Sequence, residues 1–177
     1  MSKTRTEKAK VVIVLAVHGA PPLDFPRAEL AEFFRLHGGL GHGTGPEQEA
    51  SRVRYGELEA KMRAWPRTGQ NDPFHAGSLE LAEHLRRESG LEVIVGFNEF
   101  CAPALDEALE QAAAREPEKI IVVTPMMTRG GEHSAVDIPA AINRAQEKHR
   151  AVKIIYAWPF PTENVARFLA SHVVRLI

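Results

Sequence analysis

The sequence predicts an α/β fold, a three-layer domain with a parallel sheet of about four strands at its centre, on two observations. Four short runs rich in Val and Ile, at 10–17, 91–97, 119–124 and 152–158, are apolar nearly throughout instead of alternating, which is the pattern of strands covered on both faces. Helical periodicities separate the last three runs. Alternation of this kind folds through right-handed crossovers that lay helices on the faces of a parallel sheet.

The first run, VVIVLAV after Lys10, is dominated by β-branched residues that favour extended backbone, and a Gly-Ala-Pro-Pro turn from Gly19 to Pro22 ends it. Residues 20–77 then separate this strand from the next regular unit, far more chain than a βα connection normally needs. Two helical patterns lie inside, 27–36 and 47–62, joined by a glycine-rich piece between His37 and His42. The stretch reads as a helical insertion, a lid or an interface, within a single domain spanning 1–177. Ser78 reads as the cap of a helix over 79–88, which leads into the second strand. Leu105, Leu109 and Ala112 mark a helix over 102–115, and Ile142 and Ala145 mark one over 138–149. Thr162 reads as the cap of a closing helix that ends at 174.

Composition narrows the function. The chain has 177 residues, with 22 Lys+Arg against 23 Asp+Glu and a net charge of −1. Such a balance gives no bulk attraction to nucleic acid or to an anionic membrane. Cys101 is the single cysteine, which excludes an internal disulfide framework and fits a reducing compartment. No apolar run is long enough to cross a bilayer. The basic segment MSKTRTEKAK ahead of the first apolar run imitates a short signal peptide, but the β-branched run and the turn after it read as a buried strand. A cytoplasmic protein is expected.

Ligands in such sheets bind beyond the carboxyl ends of the strands. The first strand ends at His18-Gly19, and the second runs into Asn98-Glu99-Phe100. The third leads into a loop holding Met127, Arg129, Gly130, Gly131 and His133. Taken singly, each candidate has an ordinary structural reading. His18 closes a strand-end turn, Glu99 is a first-turn carboxylate favoured by a helix dipole, and His133 caps a helix starting at Asp137. Their joint presence at three strand ends favours a site. Two imidazoles and a carboxylate suit a divalent first-row metal and leave coordination positions open.

The segment PMMTRGGEHSAVDIP at 125–139 resembles, without gaps, a signature of the class II tetrapyrrole chelatases, specifically the sirohydrochlorin cobaltochelatase/ferrochelatase family. Phe97-Asn98-Glu99 followed by Pro103 is similar to that family's Phe-Leu-Glu segment, and His18-Gly19 to its opening His-Gly. Most of 20–77 has no counterpart in the family's small members. The resemblance implies a flavodoxin-like domain that acts as a lyase, inserting Co2+, Fe2+ or Ni2+ into a sirohydrochlorin-type tetrapyrrole in cobalamin or siroheme biosynthesis. His18, Glu99 and His133 would then be both the metal donors and the catalytic groups. Arg129, Gly130, Gly131 and Met127 would line the macrocycle. No tightly bound cofactor is implied, the metal being a substrate, and the chain is expected to pair as a homodimer.

The chemistry accounts for these residue types. Metal insertion removes two N–H protons from the macrocycle while the ion sheds water. An imidazole, titrating near ~6.5, serves as acceptor or ligand at neutral pH, and a neighbouring carboxylate orients it or holds the ion's charge. Arg63 and Arg67 are further candidates for pairing with substrate carboxylates, and the corners at Trp65-Pro66 and Trp158-Pro159 for packing or ring stacking. A non-catalytic tetrapyrrole or metal carrier, or a sensor, is the rival reading on the same scaffold.

Overall fold

The computed structural model describes residues 10–39 and 45–177; His42 and residues 1–9 of the basic N-terminal run lie outside them. Four strands, β1 (Val11–Val17), β2 (Glu92–Phe97), β3 (Lys119–Val123) and β4 (Lys153–Tyr156), form one sheet. All pair in parallel in the order β2-β1-β3-β4. Six α-helices accompany them: α1 (Arg27–Gly39), α2 (Pro46–Arg63), α3 (Pro73–Ser89), α4 (Leu105–Ala113), α5 (Ile138–Lys148) and α6 (Thr162–Val173). The strand order reverses direction at β1, and the crevice at the carboxyl ends of such a reversal is where doubly wound sheets bind ligands.

Both faces of β1 are buried, which explains its unbroken apolar run. Val12, Val14 and Ala16 meet Leu105, Ala108, Leu109 and Ala112 of α4 and Ile138, Ala141 and Ile142 of α5. Leu15 and Val17 face the other way, toward Ala82 and Leu85 of α3 and Val95 and Phe97 of β2. A third apolar cluster joins α1 to α2 through Phe25, Phe33, Leu36, Leu58 and Met62. Outside these layers α6 buries no residue, and it leaves Phe168, Leu169 and Val173 more than half exposed. Among the described residues no helix is long and apolar enough to cross a membrane.

Three helix starts differ from the sequence reading. The helix expected from 79 begins at Pro73, capped by Asp72, whose carboxylate accepts the His75 N–H at 2.8 Å. An Asp-Pro pair is a strong start signal; Ser78 instead sits inside the helix and donates its hydroxyl to the Phe74 carbonyl. Helix α4 starts at Leu105, since the residue before Pro103 is disfavoured in helical backbone. Thr162 is the first helical residue of α6 and not its cap; the Pro161 carbonyl takes the N–H groups of Asn164 and Val165.

Helix α4 crosses β2 at Gly96 in close contact. A methyl group there would lie 2.7 Å from Ala108 Cβ and 3.0 Å from Leu105 Cα, so the helix would have to move outward. Gly96→Ala is expected to lower stability by about 1–3 kcal/mol through overpacking, or about 2–4 °C in Tm per kcal/mol for a chain of this size. An unchanged melting midpoint would contradict this packing.

Candidate functional site

The β1–β2 ladder continues past the strand ends. Asn98 N–H donates to the Val17 carbonyl and Glu99 N–H to the His18 carbonyl, both at 2.9 Å. His18 and Glu99 therefore leave the sheet side by side. Gly19 makes this approach possible: its φ is +105°, and a Cβ there would lie 2.0 Å from the Glu99 carbonyl oxygen. Only glycine meets both conditions.

His133 arrives from the third strand end. It opens a single π-helical turn, His133–Asp137, that runs directly into α5; α5 itself starts at Ile138, as the sequence indicates, and His133 stands one turn ahead of it. Insertions of this type are frequent at functional sites. The π turn and the loop ahead of it are tied to β4 and the chain beyond. Tyr156 donates its hydroxyl to the Ser134 carbonyl at 3.0 Å, and the Trp158 indole N–H donates to the Met126 carbonyl at 3.0 Å. Burial pushes the Tyr156 phenol up to about 12, so it remains a donor across the physiological range.

The three predicted donors converge. Glu99 Oε2 lies 3.7 Å from His18 Nδ1 and 4.0 Å from His133 Nε2, and one ligand atom from each residue falls within 4.8 Å of the others. The imidazole rings are 4.3 Å apart, tilted by 59°. Two donors at about 2.1 Å from a common ion are at most about 4.2 Å apart, and both carboxylate contacts fall inside that limit. On its far side His133 Nδ1 meets Asp137 Oδ2 at 2.6 Å. With Nδ1–H donating to the Asp137 carboxylate, the Nε2 lone pair faces Glu99, the arrangement that orients metal-binding histidines. His18 Nδ1 is buried with no hydrogen-bond partner among the described residues, as fits a nitrogen kept for a cation. All three side chains retain partial exposure, 43% for His18, 33% for Glu99 and 23% for His133, so an ion can enter and leave.

A pocket of about 320 Å³ opens beside the triad. Of the triad Glu99 lines it, together with Asp137, Arg63, Phe100 and, from α1 and α2, Phe33, Phe34 and Tyr55. Phe100 stacks over His18 (6.1 Å, 18°) and meets Phe33 and Phe34 edge-on at 6.0 and 6.2 Å. The Tyr55 phenol is held above its ordinary value by burial, reinforced by the carboxylates of Glu59 and Glu99.

The remaining sequence candidates are placed differently. Glu99 is a loop residue well ahead of α4, whose first-turn acids are Asp106 and Glu107, so the helix-dipole reading does not hold. Arg129, Gly130 and Gly131 lie exposed in the turn before His133, where the Gly131 carbonyl accepts the Ser134 hydroxyl and the Ala135 N–H. Met127 borders a separate apolar pocket with Phe160, Val165 and Phe168. Arg67 is only 7% exposed and pairs with buried Asp72, which withdraws it from any substrate carboxylate. Both tryptophans use their indole N–H for structure, Trp65 toward Asp24 at 2.9 Å. His75 stacks on Phe97 at 5.1 Å, and its burial lowers its pKa. Sequence reasoning missed the aromatic wall and the role of Asp137. The His133/Asp137 pair carried a signal, an imidazole and a carboxylate four residues apart, the spacing that stacks side chains on one helical face. Phe100 carried none.

The CbiX family model matches residues 69–175, a stretch that takes in Glu99 and His133 and begins after His18. A sirohydrochlorin cobaltochelatase of Saccharolobus islandicus is 33% identical over 102 residues, 54% of this chain and 78% of that protein. The sirohydrochlorin cobaltochelatase of Methanopyrus kandleri is 35% identical over 81 residues, 45% of this chain. That of Priestia megaterium is 28% identical over 100 residues, 55% of this chain. The matches span 56% of the Methanopyrus protein and 32% of the Priestia protein. Among solved structures, a putative cobalamin biosynthesis CbiX protein from Marinobacter aquaeolei aligns with a TM-score of 0.47 at 19% identity, covering 94% of this chain and 99% of its own.

The Gly19 geometry gives a direct test of the site. Gly19→Ala is expected to push the His18 and Glu99 loops apart and weaken Co2+ binding by about 10–100-fold, read by titration of the purified protein. Binding at the wild-type level would contradict the arrangement of the two loops.

Proposed function

Because the chain belongs to the CbiX family, we propose that it is a metal chelatase, a lyase that inserts Co2+, Fe2+ or Ni2+ into a sirohydrochlorin-type tetrapyrrole. The observation that carries this reading is the convergence of His18 Nδ1, Glu99 Oε2 and His133 Nε2 at one strand-end crevice. Support also comes from the cobaltochelatase relatives and from the partly aromatic pocket beside the triad, which offers flat apolar surface to a flat macrocycle.

In this reading the ion is a substrate and not a resident cofactor. Three donors leave positions open for the pyrrole nitrogens and release the ion more readily than a closed four-ligand cage. Asp137 keeps the His133 proton on Nδ1 and the Nε2 face free. The macrocycle gives up two N–H protons as the metal enters, and the imidazole and carboxylate groups of the triad accept them and pass them to water. Arg129, Gly130 and Gly131, exposed at the mouth of the same loop, contribute a cation and uncrowded backbone for the carboxylate-rich rim of the substrate. The α1–α2 segment, ahead of the family match, is a helical insertion within one domain. A cytoplasmic location and a part in siroheme or cobalamin synthesis complete the proposal.

Spectral titration of the full chain with sirohydrochlorin and each metal in turn tests it. More than one metallated product per chain is expected, with His133→Ala reducing turnover by about 100-fold or more, in the range of losing a general base. A plateau at one product per chain would identify a carrier instead, and a wild-type rate in His133→Ala would refute the assigned site.

Pairing of two copies belongs to the same proposal, supported by the apolar side chains that α6 leaves in solvent. Light scattering at micromolar concentration is expected to give twice the 19.6 kDa chain mass. A mass of one chain at every concentration would remove the dimer.

A further inference from the structure

Two arginines at the end of the α1–α2 segment reach across to the loops that carry the donors. Arg63, the last residue of α2, donates Nη1 to the Cys101 carbonyl at 2.7 Å and Nη2 to the Asn98 carbonyl at 3.1 Å, bracketing Glu99 and Phe100. Its Nε and Nη2 also hold Glu59 Oε1. Arg67 donates Nη1 to the Ala20 carbonyl at 2.8 Å and Nη2 to the Phe100 carbonyl at 2.6 Å, linking the His18 loop to the Glu99 loop. A helix-terminal arginine with no task beyond the helix dipole points into water; Arg63 is only 21% exposed and Arg67 7%.

What these forks hold is not relaxed backbone. Phe100 has a φ of +61°, an outlier for a bulky side chain. Such conformations persist only where their surroundings over-determine them, and they gather at functional sites. Here the carbonyls of Asn98, Phe100 and Cys101 are each fixed by a guanidinium donor. The Phe100 ring placed by this conformation is the one that stacks on His18.

We propose that Arg63 and Arg67 are positioning residues for the metal-donor set, acting through four backbone carbonyls to hold Glu99 and His18 at donor separation. The inference rests on the chelatase reading above and extends it to the segment outside the family match. Neither arginine is one of the metal donors; Arg63 also lines the pocket beside them, so the test reads metal binding with no macrocycle present. The planar fork is the operative feature, since its donors reach two carbonyls at once, and a lysine ammonium, a point charge, does not reproduce that fork.

Removing Arg67 would strand buried Asp72 without its partner, a strongly destabilising change, so Arg63 is the test. The readout is Co2+ binding by the full chain without tetrapyrrole, followed by visible absorption, together with the thermal midpoint. Arg63→Met is expected to weaken Co2+ binding by about ten-fold or more, with Arg63→Lys failing to restore it and the midpoint of Arg63→Lys close to wild type. Electrostatics alone predicts the opposite sign, because deleting a cation near a cation site strengthens binding. Unchanged or tighter Co2+ binding in Arg63→Met would overturn the proposal and leave the chelatase reading standing. Full recovery in Arg63→Lys would also overturn it, by showing that charge suffices. If Arg63→Met does not fold, Arg63→Lys decides alone: weakened binding supports the proposal and wild-type binding refutes it. Wild-type protein that binds no Co2+ would overturn both readings together.

Discussion

One backbone contact organises the site: the hydrogen bond from Glu99 N–H to the His18 carbonyl, made where the β1–β2 ladder runs on beyond its strands. It turns two residues far apart in sequence into neighbours and sends an imidazole and a carboxylate out of the same edge of the sheet. The contact exists because position 19 has no side chain. Everything else in the crevice is arranged around that pair. The π-helical turn swings His133 across from β3 until its Nε2 faces the carboxylate already in place; Tyr156 holds that turn and Trp158 the loop that feeds it.

The scaffold was legible because burial on both faces leaves a plain trace. Runs such as VVIVLAV admit no alternation to be misread, and each of the four fell within a residue or two of its strand. Helix starts were less legible, because a serine that caps and a serine inside a helix look alike in sequence. Ser78 read as the cap, whereas the helix starts at Asp72-Pro73, a pair that joins a carboxylate acceptor to a proline at the first helical position. The triad was legible for a different reason: chemistry-bearing residues at the carboxyl ends of parallel strands meet whatever the loops between them do.

The surroundings of the triad were not legible, because they come from contacts between distant segments that leave no local pattern. Nothing in Phe33, Phe34 or Tyr55 marks them as facing a pocket and not a core. Arg67 looked like a free cation for an anionic ligand, but burial beside Asp72 makes it structural. Phe100 shows most clearly what sequence conceals. Its left-handed backbone and its stacking on His18 depend on donors supplied from α2 and the turn after it.

X-ray absorption of the Co2+-loaded protein bears most directly on the convergence of His18, Glu99 and His133. Scattering from two imidazoles is expected, with nitrogen and oxygen donors at about 2.0–2.2 Å, and the imidazole signal is lost when both histidines are replaced by alanine. A cobalt shell of oxygen alone, or an imidazole signal that survives the double replacement, would contradict it.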